Sequence, residues 1–373
     1  MISERKIPVC CPVLGEEEQK YIQDCIDTAW ISQGKYVKQF EEEFSKYCEC
    51  EYGVACSNGT TALHLVIKAL GIDEGDEVLV ATSTNMASAF SVYYEGALPI
   101  PVDIEKDTWQ LDPSKLEEKI TEKTKAIMVV HLFGLPVDMD PVMEIAKKHN
   151  LKVIEDCAQA HGARYKGKKV GSIGDVGCFS FYANKIITAG EGGMVVTNNS
   201  EIADKARNYG NFCYGKENKF MHNDIGYNYR IPHMSAALAL GQLQRIDSIL
   251  EKKEHIYQQY KKGLENISAI HIPERKEYSD SVMWMFNVEL DESASISRNE
   301  FMKKLKGRGI ETREAFVPIN KQKVFLEKGF VKEDDCPVAN YIMDQGLYLP
   351  SGLNLTNEDI HYVVQSIQEI LQN

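Results

Sequence analysis

From Tyr52 to about Val196 the chain alternates short apolar runs with amphipathic stretches. That alternation restricts it to a mostly parallel sheet with helices on both faces, an α/β fold. Gly53-Val-Ala-Cys-Ser57, Glu77–Ala81, Leu98–Val102, Ala126–Val130 and Lys152–Glu155 read as strands; Met139–His149 and the periodic run from Ala62 to Leu70 read as helices. Ligands of such sheets sit beyond the carboxyl ends of the strands. Ser57, Asp156 and Ser180 fall at or just after such ends, so the expected edge already carries polar side chains.

A chain of 373 residues exceeds the size at which one apolar core keeps growing. Two domains are expected: a large one over 1–245 and a small α+β one over 246–373. A long helical pattern from Met234 to Gln258 would link them. After it, Met283–Glu289 and Ile310–Arg313 read as small-domain strands, and Asn357–Leu371 as a closing amphipathic helix. The net charge of −13 argues against a general nucleic-acid binder. The ten cysteines are scattered without a Cys-x-x-Cys pair, so they read as reduced thiols, and no metal centre is expected. Met1–Lys6 leads into no apolar signal core and no run approaches a membrane span. The chain therefore reads as cytoplasmic.

Three clusters carry the chemistry. Asn58-Gly59-Thr60-Thr61 sits at a strand-to-helix turn, where backbone N–H groups and the helix dipole favour a phosphate; taken alone it reads first as an ordinary N-capped helix. Asp156 ends an apolar strand, and a carboxylate buried there needs a cationic or donor partner. That partner is either the ring nitrogen of pyridoxal phosphate, with Gln159 reaching the ring oxygen, or the start of the next helix. Lys185 follows Ser180 by five residues and precedes Gly190, Gly192 and Gly193. It reads as the Schiff-base lysine of that cofactor, able to shuttle a proton, or as a solvated lysine beside glycines.

These blocks, with Trp30–Gly34, Val130-His-Leu-Phe-Gly134, Gly226-Tyr-Asn-Tyr-Arg230 and Gly346-Leu-Tyr-Leu-Pro350, resemble the DegT/DnrJ/EryC1/StrS sugar aminotransferases nearly end to end. The resemblance implies the fold-type I pyridoxal phosphate architecture, with Lys185 and Asp156 as catalytic residues. It implies a phosphate cradle of Gly59, Thr60 and Ser180, and Gln159 near the ring hydroxyl. Asn228 would reach the cofactor phosphate of a neighbouring subunit, so a homodimer with shared sites is expected. Glutamate would be the amino donor and a nucleotide-linked keto sugar the acceptor. Within the family, Thr108–Pro113, Ile120–Met128 and Lys185–Met194 are similar to the GDP-perosamine synthase branch, which implies a GDP-4-keto-6-deoxymannose type of acceptor.

Two departures bear on the sugar. Asn85 stands where the family usually places a ring-stacking aromatic, and Glu314, Val317 and Asn320 alter a segment expected near the substrate. Arg230, Arg313 and Asn320 are the substrate-binding candidates. An aminotransferase for another ketone, such as a keto-inositol, and a non-catalytic binding protein on the same scaffold stay open. A sugar 3-dehydratase is disfavoured, because that branch carries histidine where Lys185 stands.

Overall fold

A computed structural model describes residues 5–372 apart from 216 and 219. The first four residues, part of the stretch read as lacking a signal core, lie outside the described residues. Nine strands fall in the first part of the chain: β1 (Tyr52–Cys56), β2 (Glu77–Ala81), β3 (Leu98–Val102), β4 (Thr124–Val130), β5 (Lys152–Asp156), β6 (Arg164–Tyr165), β7 (Lys168–Lys169), β8 (Val176–Ser180) and β9 (Gly193–Thr197). Seven of them form one sheet in the order β1-β9-β8-β5-β4-β2-β3. Only β9 runs against its neighbours, so the other six end along one edge, and β9 begins there.

Both faces of this sheet are buried, which is why its strands read as continuous apolar runs. Val78, Val80, Ala126 and Met128 feed one core, while Leu79, Ala81, Ile127 and Val129 feed the other. The helices are α1 (Glu16–Asp27), α2 (Lys35–Tyr47), α3 (Gly59–Ala69), α4 (Ala87–Tyr93), α5 (Met139–His149), α6 (Ser200–Gly210), α7 (His233–Gln244) and α8 (Ile246–Leu264). Residues of α3, α4 and α6 complete the first core; those of α1, α2, α5 and α7 complete the second.

The helix expected over 234–258 is two helices. Arg245 leaves helical geometry at φ −117°, ψ 19°, and its guanidinium meets the buried Glu18 of α1 at 2.6 Å. That ion pair holds the break in place.

Beyond α8 come β10 (Ile270–His271), β11 (Ser279–Asp280), β12 (Phe286–Leu290), β13 (Arg313–Glu314) and β14 (Gly346–Leu349). A small antiparallel sheet takes the order β10-β12-β14-β13, while β11 joins β6 and β7. Phe286, Val288, Leu347 and Leu349 pack with Tyr260 and Ile367 in a third core, which Ile7 also enters. The strand expected from Met283 begins only at Phe286, because Val282 and Trp284 donate their N–H groups to Gly134 and Phe133 instead. That detour carries Trp284 to the edge where the parallel strands end. Among the described residues no helix is long and apolar enough to cross a membrane.

Candidate active site

Cys56 and Ser180 both lie opposite Gly193, so the ends of β1 and β8 flank the start of β9 in one row. Directly after β1, Asn58 caps α3: its Oδ1 accepts from Thr61 N at 2.9 Å, and Thr61 Oγ1 accepts from Asn58 N at 3.1 Å. The cap consumes both side chains. It leaves the Gly59 and Thr60 N–H groups, at the positive end of the helix, without a hydrogen-bond partner among the described residues. A Cβ at Gly59 would stand 2.7 Å from Ser180 Cβ, so only glycine allows the helix start and the β8 terminus to meet this closely.

These groups open into a cavity of ≈ 420 Å³ whose lining includes Gly59, Thr60, Asn85, Asp156, Gln159, Ser180 and Lys185, with Trp284, Phe316 and Tyr348 closing one wall. Asp156, the last residue of β5, is 4% exposed. Burial pushes its carboxyl above the usual range, against the opposing pull of Ser88 Oγ at 2.8 Å, the Ala158 N–H at 3.1 Å and the charge of Lys185. Gln159 accepts the Phe133 N–H on Oε1 at 2.6 Å, and its side-chain NH2 makes no hydrogen bond among the described residues. That amide is therefore available to an oxygen acceptor in the cavity.

Lys185 is half-buried, and its Nζ lies 4.2 Å from the centre of the Trp284 ring. Burial draws the amine down from the ordinary 10.5 to about 8, while Asp156 pulls the other way. A lysine so placed is part neutral near physiological pH, as a nucleophile or a general base requires. Beside Asp156, the His131–Glu155–Cys157 group is the described set closest to a metal geometry. Its Glu155 is already taken up by His131 at 3.0 Å and by the N–H groups of Gly171, Ile173 and Gly174. This makes it an anchor for the end of β5.

The remaining candidates fall outside the cavity. Asn228 is exposed, in the strand-like segment that bridges Asn211. Arg230 donates to Asn211 Oδ1 at 2.8 Å and bridges Cys56, two residues before Asn58. Arg313 pairs with Glu311 at 2.5 Å and lies opposite Tyr348, which lines the cavity.

Asn320 is a correction. It is fully buried, accepting from Thr82 Oγ1 at 3.1 Å and donating to Glu333 O and Asn340 Oδ1 at 2.8 and 2.9 Å, so no group remains for a substrate. Sequence reasoning missed Ser88, Trp284, Phe316 and Tyr348. The last three come from segments whose spacing to Lys185 carries no local signal; Tyr348 lay inside the Gly346–Pro350 block and Phe316 within the altered 314–320 segment without being singled out.

A partly neutral lysine, a buried carboxylate and a bare helix start, facing one cavity at the carboxyl edge of a parallel sheet, define a pyridoxal-phosphate enzyme of the fold-type I kind. The model of the DegT/DnrJ/EryC1/StrS aminotransferase family matches residues 12–368, and the chain belongs to that family. It is a pyridoxal phosphate-dependent aminotransferase. It is 42% identical over 364 residues to the GDP-perosamine synthase of Escherichia coli O157:H7, covering 97% of this chain and 98% of that one. Among solved structures it is similar to S. venezuelae DesV in complex with a ketimine intermediate (TM-score 0.90, 34% identity, 96% and 95% of the two chains). It is also similar to the PLP form of a putative sugar aminotransferase, Spr1654, from Streptococcus pneumoniae (TM-score 0.94, 27% identity, 99% of each chain).

Proposed function

We propose that the chain transfers an amino group from L-glutamate to a nucleotide-linked keto sugar of the GDP-4-keto-6-deoxymannose type, yielding an amino sugar for a surface polysaccharide or glycan. The observation that carries the chemistry is Lys185, its amine drawn down to about 8, sharing one cavity with the buried Asp156. The 42% identity to a GDP-perosamine synthase, nearly end to end, supports the sugar.

The residues present fit the cofactor. Gly59, Thr60 and Ser180 would hold its phosphate, because among the described residues the N–H groups of the first two have no partner and Ser180 Oγ meets only the Tyr182 N–H, at 3.4 Å. Asp156 would hold the protonated ring nitrogen, which supplies the cationic partner its burial demands. The Gln159 amide would donate to the ring oxygen. When bound, pyridoxal phosphate supplies an electron sink beside the reacting carbon. Lys185 Nζ takes the proton from the donor's α-carbon in one half of a ping-pong cycle and returns a proton to the acceptor carbon in the other. Nitrogen moves from glutamate, which leaves as 2-oxoglutarate, to the sugar carbonyl carbon.

Asn228 faces outward, and we assign it to the phosphate of a second subunit in a homodimer with shared sites. The exposed Phe220, Met221 and Ile225 just before it support a covered face there. Arg230 and Arg313 are proposed for the carboxylates of glutamate. The division of the chain at 245/246 and a cytoplasmic location belong to the same reading. Incubating the protein with pyridoxal phosphate, L-glutamate and GDP-4-keto-6-deoxymannose should give 2-oxoglutarate and a nucleotide amino sugar by mass spectrometry. Formation of 2-oxoglutarate without the amino sugar would reject the acceptor and keep the donor.

A further inference from the structure

Lys253, on α8, lies outside the cavity and is only 2% exposed. Its Nζ donates to the Trp284 carbonyl at 2.8 Å and to the Ser351 carbonyl at 2.7 Å, and it meets no carboxylate among the described residues. An interior ammonium without a counter-charge is costly, and an apolar side chain of similar length would fill the same space. The two carbonyls it joins explain its presence.

Trp284 is held at several points. Its backbone N–H donates to Phe133 O at 3.1 Å, its carbonyl takes Lys253, and its indole N–H donates to Asn184 O at 2.7 Å. The ring lies nearly parallel to Phe133, 22° between planes. Asn184 immediately precedes Lys185, and the Lys185 amine, which makes no hydrogen bond among the described residues, stands over the Trp284 ring. Ser351 receives the Phe286 N–H on its Oγ at 2.8 Å. One ammonium thus ties the entry of β12 to the exit of β14.

We propose that Lys253 is a positioning residue for Lys185, acting through the Trp284 carbonyl to keep the indole ring over the reactive amine and water away from it. The proposal rests on Lys185 being that amine. Loosening Trp284 admits water, and relief of desolvation, the largest influence on Lys185, outweighs the lost ring contact.

The test is the pH dependence of Lys185 acetylation in the full chain freed of cofactor, read by peptide mass spectrometry, beside kcat and thermal midpoint. Lys253→Met should move the Lys185 midpoint upward by about one pH unit, roughly tenfold slower labelling at pH 7, and lower kcat more than KM. Lys253→Arg, which keeps charge and donors, should recover part of both. A lower melting temperature with an unmoved midpoint would overturn the proposal and leave a structural staple. If Lys253→Met does not fold, Trp284→Phe decides: the proposed effect on Lys185 runs through Trp284, so an unchanged midpoint there is equally fatal, and an upward shift supports it. Lys185→Ala tests the underlying reading separately, since retained turnover in that variant would reject Lys185 as the amine whatever the labelling shows.

Discussion

The Ser88 hydroxyl donates to Asp156 Oδ2 at 2.8 Å, with Thr84 Oγ1 standing 2.9 Å from the same hydroxyl. This short relay at the start of α4 favours the ionised carboxylate, opposing the burial that raises its pKa. Ser88→Ala should therefore weaken the hold on the cofactor's ring nitrogen, with a loss on the order of 1.5–3 kcal/mol for a hydrogen bond to a charged group. Turnover should fall roughly ten- to hundredfold, and Ser88→Thr should restore it. Steady-state kinetics of the three proteins at saturating cofactor check this; unchanged turnover in Ser88→Ala would remove Ser88 from the account.

Gly59→Ala separates the cradle from the helix it begins. The new Cβ would press on Ser180 Cβ at 2.7 Å and Oγ at 3.1 Å. Overpacking of that kind costs about 1–3 kcal/mol, so the dissociation constant for pyridoxal phosphate should rise roughly five- to hundredfold. Alanine is itself the better helix former, so α3 should not unravel. Cofactor titration followed by absorbance, with circular dichroism as control, measures both. Equal affinity in the variant would remove the phosphate from the start of α3.

Much of this site was legible because parallel strands align their carboxyl ends. Once Glu77–Ala81, Leu98–Val102 and Lys152–Glu155 read as strands, Asp156 and Ser180 had to share an edge, and α3 had to start there. The wall of Trp284, Phe316 and Tyr348 was not legible, because it depends on how the small sheet docks, and no local period encodes docking. Arg245 shows a second limit. Its break between α7 and α8 is set by Glu18, more than two hundred residues away, while the apolar spacing runs through it undisturbed. Asn320 shows a third: its segment was expected near the substrate, yet tertiary partners took its hydrogen bonds into the interior.

Asn320→Ala follows from that correction. The change strands the Thr82 hydroxyl and Asn340 Oδ1 in or near the core, while the Glu333 carbonyl keeps the Asn340 amide at 2.7 Å. Buried groups left unpaired cost about 1–3 kcal/mol each, partly recovered by relaxation, so a net loss of roughly 2–3 kcal/mol is expected. Urea unfolding should show it as a lower midpoint at constant m-value. KM for the sugar should stay the same, and a large rise in KM without loss of stability would return Asn320 to the substrate.

The Lys185 amine predicts opposite behaviours for capture and for folding, both with a known sign. Only the neutral amine attacks a carbonyl, and its folded value is about 8. Uptake of pyridoxal phosphate by the cofactor-free chain should thus accelerate about tenfold per pH unit well below 8 and level off above it. For folding, the unfolded chain keeps this proton up to the ordinary 10.5. Below pH 8 both states are protonated, and holding the charge inside costs stability in full. Between about 8 and 10.5 the unfolded state binds more protons, so the penalty fades as pH rises. Lys169 and Lys253, also drawn down to about 8 by burial, add slopes of the same sign. The Lys185 share is therefore the difference between the native chain and Lys185→Met. That variant should gain stability at pH 7, and the gain should shrink toward pH 10. An uptake rate that keeps rising about tenfold per pH unit from 8 to 10, together with a Lys185→Met difference that ignores pH, would mean the amine titrates at an ordinary value and that burial does not tune it.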